Sequence, residues 1–251
     1  MRSSLSLVTV GAAALFLSSC SPYGRISRDF AGKQTSIQYI HSPGKSPQKL
    51  NVSVGIAKPV IKDRGFKSGQ IKNLKAEVVP LIVYNGWTFF YECSIGRNQV
   101  KENMNSFIQS SLVEEGNRKG IFTADTSSNH LYTVEIEVDS MRSAAVHKTN
   151  GYFVYLFFVS VWGTTTNASG NPAYCRFHYR LRKGDKVILD KRVSNTSTLD
   201  FLRPFPFDKN SFNIYLRAYL VESLGDAIRK NIEAVVWDVN RELRVDPTLS
   251  Q

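Results

Sequence analysis

The apolar positions of this chain follow two periods, and the switches between them outline its elements. From Leu50, the residues Leu50, Val52, Val54 and Ile56 alternate with polar or small ones, which predicts a strand. Ala76–Tyr84 and Trp87–Cys93 are apolar and aromatic runs on either side of Asn85-Gly86. That dipeptide favours a type I′ turn, so the segment predicts a hairpin. Across 96–119 the period changes: Val100, Met104, Phe107, Ile108 and Leu112 share one helical face, with Gly116 and Gly120 at its end. Leu131–Val138 alternates again, with Val134, Ile136 and Val138 on one side and Glu135 and Glu137 on the other.

Tyr152–Trp162 is the most apolar segment. As a helix its eleven residues would span only about 16 Å, half a hydrocarbon core. It is β-branched and aromatic and lies between Gly151 and Gly163. Two readings fit: a strand buried on both faces, which its shortness favours, or a loop or hairpin that dips into lipid or a partner. Thr164–Pro172 reads as a polar loop. Ala173–Arg182 and Lys186–Val193 predict a second hairpin around Lys183-Gly184-Asp185. A three-residue loop there pairs Leu181 with Val187, Tyr179 with Leu189 and Cys175 with Val193, and sets Arg176 opposite Arg192. Phe201–Phe207 is a proline-punctuated aromatic loop, expected to plug the space under a final helix over Asn213–Leu243. Leu220, Leu224, Ile228, Ile232, Val235, Val236 and Val239 form the apolar stripe of that helix.

This order predicts an α+β fold, a mainly antiparallel sheet packed by two helices with the longer one C-terminal. The chain divides into a leader (1–19), a Pro- and Gly-punctuated tether (20–49), one domain (50–243) and a frayed tail (244–251). A flexible tether of that length reaches on the order of 30 Å.

The leader sharpens the picture. Arg2 precedes an apolar stretch, Leu5–Leu17, followed by Ser18-Ser19-Cys20. This resembles the lipobox of bacterial lipoproteins, in which the cysteine is lipidated and becomes the new N-terminus. The resemblance implies an acyl anchor on Cys20, and Ser21 beside it implies the outer membrane, with the domain facing the periplasm. Two or three acyl chains at about 0.8 kcal/mol per buried CH₂ hold permanently, where one does not.

Composition adds charge. The 251 residues carry 32 Lys and Arg against 21 Asp and Glu, a net +11. Cleavage removes only Arg2 and leaves +10. Charged residues at 21% and hydrophobic ones at 42% exclude a disordered or collagen-like chain. In the envelope, such charge meets anionic lipid and acidic polymers rather than nucleic acid. The second hairpin gathers Arg176, Arg180, Arg182 and Arg192 on one face, a candidate anion-binding surface, because arginine grips phosphate bidentately.

Cys93 and Cys175, the two cysteines left after lipidation, are expected to pair as a disulfide, with buried free thiols as the alternative. No metal is expected. Cys175 and His178 stand three apart on a strand and point to opposite faces, and His41, His130 and His147 are scattered. No cofactor motif and no nucleophile motif occurs, although carboxylates from distant positions could still meet in a hydrolase site.

The layout also resembles that of small envelope lipoproteins serving transport systems, the lipopolysaccharide-assembly lipoprotein and the lipoprotein partners of lipid-transport ABC systems. The likeness lies in a helix carrying Phe107-Ile108-Gln109-Ser110-Ser111-Leu112 that leads into the strand Tyr132–Val138, then a charged hairpin and a long last helix. It implies a non-enzymatic accessory or adaptor that binds an envelope protein or an anionic lipid. The alternative is a periplasmic hydrolase of cell-wall or lipid substrates.

Overall fold

A computed structural model of the chain describes residues 34–41, 43–44, 46–63, 70–79, 82–127, 129–156, 159–197, 199–200 and 209–249. Its elements are β1 (Ser53–Ile56), β2 (Val60–Ile61), β3 (Gln70–Val79), β4 (Ile82–Ile95), α1 (Met104–Lys119), β5 (Thr123–Asp125), β6 (Tyr132–Leu156), β7 (Val159–Lys183), β8 (Lys186–Thr196) and α2 (Lys209–Val245). The α+β class is as expected. Cys20 and the 201–207 loop lie outside the described residues.

One ribbon organises the sheet. β6 and β7, 25 residues each, pair antiparallel from Tyr132↔Lys183 to Leu156↔Val159. Along the other edge of β6, β1 and β2 pair in parallel at its start and β4 pairs antiparallel at its end. β3 adds outside β4, β5 outside β1, and β8 outside the last part of β7. The sheet therefore has a base (β5-β1-β6-β7-β8) and a projecting extension (β3-β4-β6-β7).

The base is built by alternation. Tyr132, Val134, Ile136 and Val138 of β6 and Ala173, Cys175, Phe177, Tyr179 and Leu181 of β7 are buried, while their neighbours are not. α2 covers this face with Leu216, Leu220, Leu224, Ile228, Ile232, Val235, Val236 and Val239, all buried, and α1 packs beside it with Met104, Ile108 and Leu112. Each such aliphatic side chain contributes about 1.5–3 kcal/mol by leaving water.

Local chemistry fixes the ends. The Asn103 side chain accepts from the amides of Asn105 and Ser106 (3.1 and 3.3 Å), which starts α1 eight residues after the change of period at Gly96. At the other end of α1, the Lys49 ammonium donates to the carbonyls of Gly116, Gly120 and Phe122 at 3.1, 2.7 and 2.7 Å, where helix carbonyls lack partners. The β7–β8 turn is Gly184-Asp185, with Gly184 at φ +56°.

Four expectations change. The first hairpin turns between Val79 and Ile82, not at Asn85-Gly86, which sit inside β4 opposite Ala76 and Lys75. Pro80 has no amide to give a ladder, and this outweighs the Asn-Gly preference. Thr164–Pro172 is strand, part of β7. The second hairpin has a two-residue loop and an irregularity between Leu181 and Arg182, so Leu181 meets Leu189 and Arg176 meets Ser194. The like-charge pair of arginines does not arise. Finally, the chain beyond α2 is tied down at residues 246–249. Asp246 accepts from Lys183 (2.7 Å) and from the Tyr132 hydroxyl (2.7 Å), and these donors hold its carboxyl well below the usual range.

Candidate functional site

The outer face of the second hairpin does carry the predicted arginines, but half of them are already occupied. Arg180 donates to Asp190 (2.9 Å) and Arg182 reaches Glu135 (2.9 Å). His178 lies between Asp190 (2.6 Å) and Glu137 (3.3 Å), and Lys62 also reaches Glu137 (2.6 Å). The His178 and Arg180 contacts hold the Asp190 carboxyl below its usual range, and Lys62 does the same for Glu137. This is a mixed ladder of ion pairs. Only Arg176 and Arg192 are exposed there with no ion pair among the described residues.

Cys93 and Cys175 are free and buried, so the expected disulfide is absent. The register explains why. Cys93 pairs with Ala145 and Cys175 with Met141, so the two cysteines sit on strands flanking opposite edges of β6. Two strand spacings are roughly 10 Å, beyond the span of a disulfide. Burial pushes both thiols up to about 12, which leaves them unreactive near neutral pH.

Hydrolytic constellations fare no better. Ser127, His130 and Asp125 cluster at the end of β5, but the serine hydroxyl and the carboxylate both meet the same ring nitrogen, Nε2, each at 2.7 Å. A relay needs the two nitrogens to serve different partners. Among the described residues no group of three metal-ligating side chains assembles. A depression of about 410 Å³ between Pro47–Leu50 and Leu243–Arg244 contains no carboxylate.

The segment left as core or lipid-dipping supplies the distinctive surface. Tyr152–Trp162 is the turn end of the β6–β7 hairpin, and it is not buried on both faces. Trp162 is 73% exposed, Val159 62%, Val161 51%, Tyr155 43% and Tyr152 42%. The β3–β4 turn lies beside it, because Ile82 pairs with Leu156. Together they form a blade of four antiparallel strands in register, the ten described residues 70–79 of β3 and the stretches 82–91, 147–156 and 159–168 that lie across from them.

The base hands over to the blade at two irregularities in the β6–β7 pairing, Val138/Ser140 and Arg142/Ala144. Asp63 accepts the Met141 amide there at 2.9 Å, and Arg142 pairs with Glu92. α2 reaches the start of the blade at Gly170, where an added Cβ would lie 2.4–2.6 Å from the Tyr219 ring. Within the blade the Tyr152 ring covers Gly163 at 2.7 Å from such a Cβ, an aromatic side chain protecting a bare strand position. Thr88 donates to Asn150 across β4 and β6 at 3.0 Å.

The blade's composition is unlike the rest of the chain. Of its forty positions only Lys72, Lys75, Glu77 and Lys148 are charged, against 21% overall, and nine are aromatic, against 12% overall. Sequence reasoning missed it because it split the blade into a misplaced hairpin, a single strand and a loop. The available signal was Pro80 in the middle of the Ala76–Tyr84 run, which a continuous ladder does not accommodate.

No family model and no curated protein matches the chain. Among solved structures, a Xanthomonas campestris protein of the DUF330 family is similar over 85% of this chain and all of its own, at 8% identity and a TM-score of 0.44. A second, uncharacterised protein covers 82% of this chain and 99% of its own, at 8% identity and a TM-score of 0.31.

Proposed function

We propose that this chain is a lipid-anchored envelope protein, held through Cys20, that works as an accessory module by engaging a membrane with its β blade. The observation that carries this reading is the blade's end. Five large apolar or aromatic side chains stand 42–73% exposed on a domain whose base is otherwise well packed. Scattered exposed apolar residues need no explanation, but five gathered at one end of a sheet, on both of its faces, mark a lipid or partner surface. The lipobox-like leader places lipid within reach of that patch. No helix among the described residues is long and apolar enough to cross a membrane. The non-enzymatic reading fits the Ser127–His130–Asp125 geometry, which lacks a relay.

Trp162 is a built-in probe. Trp87 and Trp237 are the other tryptophans, so the double variant Trp87→Phe, Trp237→Phe leaves Trp162 as the sole indole. The full-length variant, made in a bacterium that lipidates it, is placed in phosphatidylethanolamine–phosphatidylglycerol vesicles containing brominated acyl chains. Strong quenching of Trp162 is expected. Water-like emission without quenching would remove the proposal, as would a mature N-terminus other than Cys20.

A further inference from the structure

Among the described residues, neither long edge of the blade has a neighbour. β3 pairs only with β4, and β7 pairs with β8 only from Tyr174 onward, so 70–79 and 159–173 present open ladders among the described residues. Exposed edges of this length are normally blunted, covered or closed. Here the two edges lie on opposite sides of one four-stranded sheet and run in opposite directions. β3 climbs toward the turns and β7 descends from them. A second copy that sets its β3 against the first copy's β7 therefore continues the same antiparallel up-and-down order.

We infer that several copies of this chain associate edge to edge, β7 of one against β3 of the next, and close their blades into a transmembrane β-barrel with four strands per copy. The inference rests on the membrane-engaging reading above and adds the partner, which is the chain itself. Three observations support it independently of one another.

The first is length. Ten residues at about 3.3 Å each give about 33 Å of strand, or roughly 25 Å of height at the tilt usual for outer-membrane barrels. That equals their apolar band, and 9–11 residues is the expected strand length for a bilayer. The ten described residues of β3 meet it, as do the partners they face through β4, β6 and β7, and the two hairpins reverse at the same end.

The second is symmetry. The contact joins two different edges, so it is heterologous. Heterologous contacts repeat until a ring closes or a filament grows. A sheet that lengthens by four alternating strands per copy always has an even number, as bacterial barrels do.

The third is composition. Only four of the blade's forty positions are charged. Large apolar side chains stand exposed on both of its faces, Tyr155 and Trp162 on one and Tyr152, Val159 and Val161 on the other. A sheet of that composition suits hydrocarbon better than water.

The test uses the full-length lipidated protein in phosphatidylethanolamine–phosphatidylglycerol membranes. Asn73→Cys on β3 and Thr165→Cys on β7, alone and together, are treated with a short bismaleimide. The expected result is a ladder of multimers that ends in one discrete species with the double variant, and at most a dimer with either single variant. The same membranes, formed as a planar bilayer from the unlabelled wild type, are expected to show stepwise conductance. A double variant that stays monomeric, or a dimer linked β3 to β3 or β7 to β7, would overturn the barrel. If Trp162 were still quenched by brominated lipid, the membrane reading alone would stand. If Trp162 were not quenched either, both would fall.

Discussion

Replacing Trp162 with serine separates the two jobs of the blade, because the side chain is placed where the folded monomer hardly uses it. An indole side chain presents up to about 250 Å². At 73% exposure, roughly 180 Å² of it stays in water, and at about 25 cal/mol per Å² full immersion in hydrocarbon contributes at most about 4.5 kcal/mol. That is a ceiling of about three orders of magnitude in partition, and tenfold is a safe lower expectation for partial immersion. Folding of the monomer, by contrast, loses at most the buried remainder, roughly 70 Å² or about 1.7 kcal/mol, which is a few degrees in Tm for a domain of this size. The assay is flotation of a chain beginning at Ser21 with phosphatidylethanolamine–phosphatidylglycerol vesicles, alongside thermal unfolding in buffer. Ile232→Ala is the converse control, since Ile232 is fully buried and its truncation removes about 2–5 kcal/mol of stability. It should lower Tm by many degrees and leave partition of the folded fraction alone. If Trp162→Ser melted like Ile232→Ala and floated like wild type, the exposed-tip argument would be wrong at its root.

Three further outcomes follow from single contacts. Cys93 and Cys175 should ignore a thiol reagent at pH 8 in the native protein and both react in guanidinium without reductant. Because burial raises their folded pKa to about 12, the native state holds protons that the unfolded chain releases, so stability is expected to decline as pH climbs above about 9. Gly170→Val should cost about 1–3 kcal/mol, since the new side chain enters the Tyr219 ring, and Tyr219→Ala in the same chain should recover part of the loss in a denaturant titration. The Asp246 carboxyl is depressed chiefly by Lys183, so its contribution is present above the ordinary aspartate pKa of about 3.9 and fades as pH falls through the folded value. Hydrogen exchange at the Leu249 amide, which donates to the Asp246 carbonyl at 3.1 Å, should quicken under acid in wild type and at all pH values in Asp246→Asn.

The base was legible because it obeys one rule, a covered face with alternating burial. Val134, Ile136 and Val138, and the stripe from Leu220 to Val239, are all buried as their spacing predicts. The blade was not, because it has no covering layer to impose that alternation. Thr164–Pro172 looked like a loop because its residues are polar, yet threonine and asparagine sit comfortably in a ladder whose face meets water. Tyr152–Trp162 looked like one buried strand because both parities are apolar. Nothing in eleven residues announces that the chain reverses between Leu156 and Val159, whereas the alignment of β3, β4 and the blade portions of β6 and β7 emerges only from pairing. The disulfide failed for the same kind of reason. Composition suggested pairing the two cysteines, and strand order put β6 between them.

The same contrast bears on why a chain would keep such an extension. Ten-residue strands without a packed layer gain little from apolar burial, so the blade of an isolated copy is held mainly by its ladder and by cross-strand contacts such as Tyr152 over Gly163. Folding stability alone would favour trimming it back toward Gly170, which Tyr219 of α2 covers. The low charge, the aromatic residues and the in-register strands are liabilities in water, since they invite edge-to-edge aggregation. They become assets when the surroundings of the blade are hydrocarbon, where an unpaired backbone group costs several kcal/mol and a closed sheet of uniform height is one of the two structures that can span. A base stable enough to fold first, with its helices covering its own sheet, would keep those edges apart until an anchored neighbour and a membrane are both at hand.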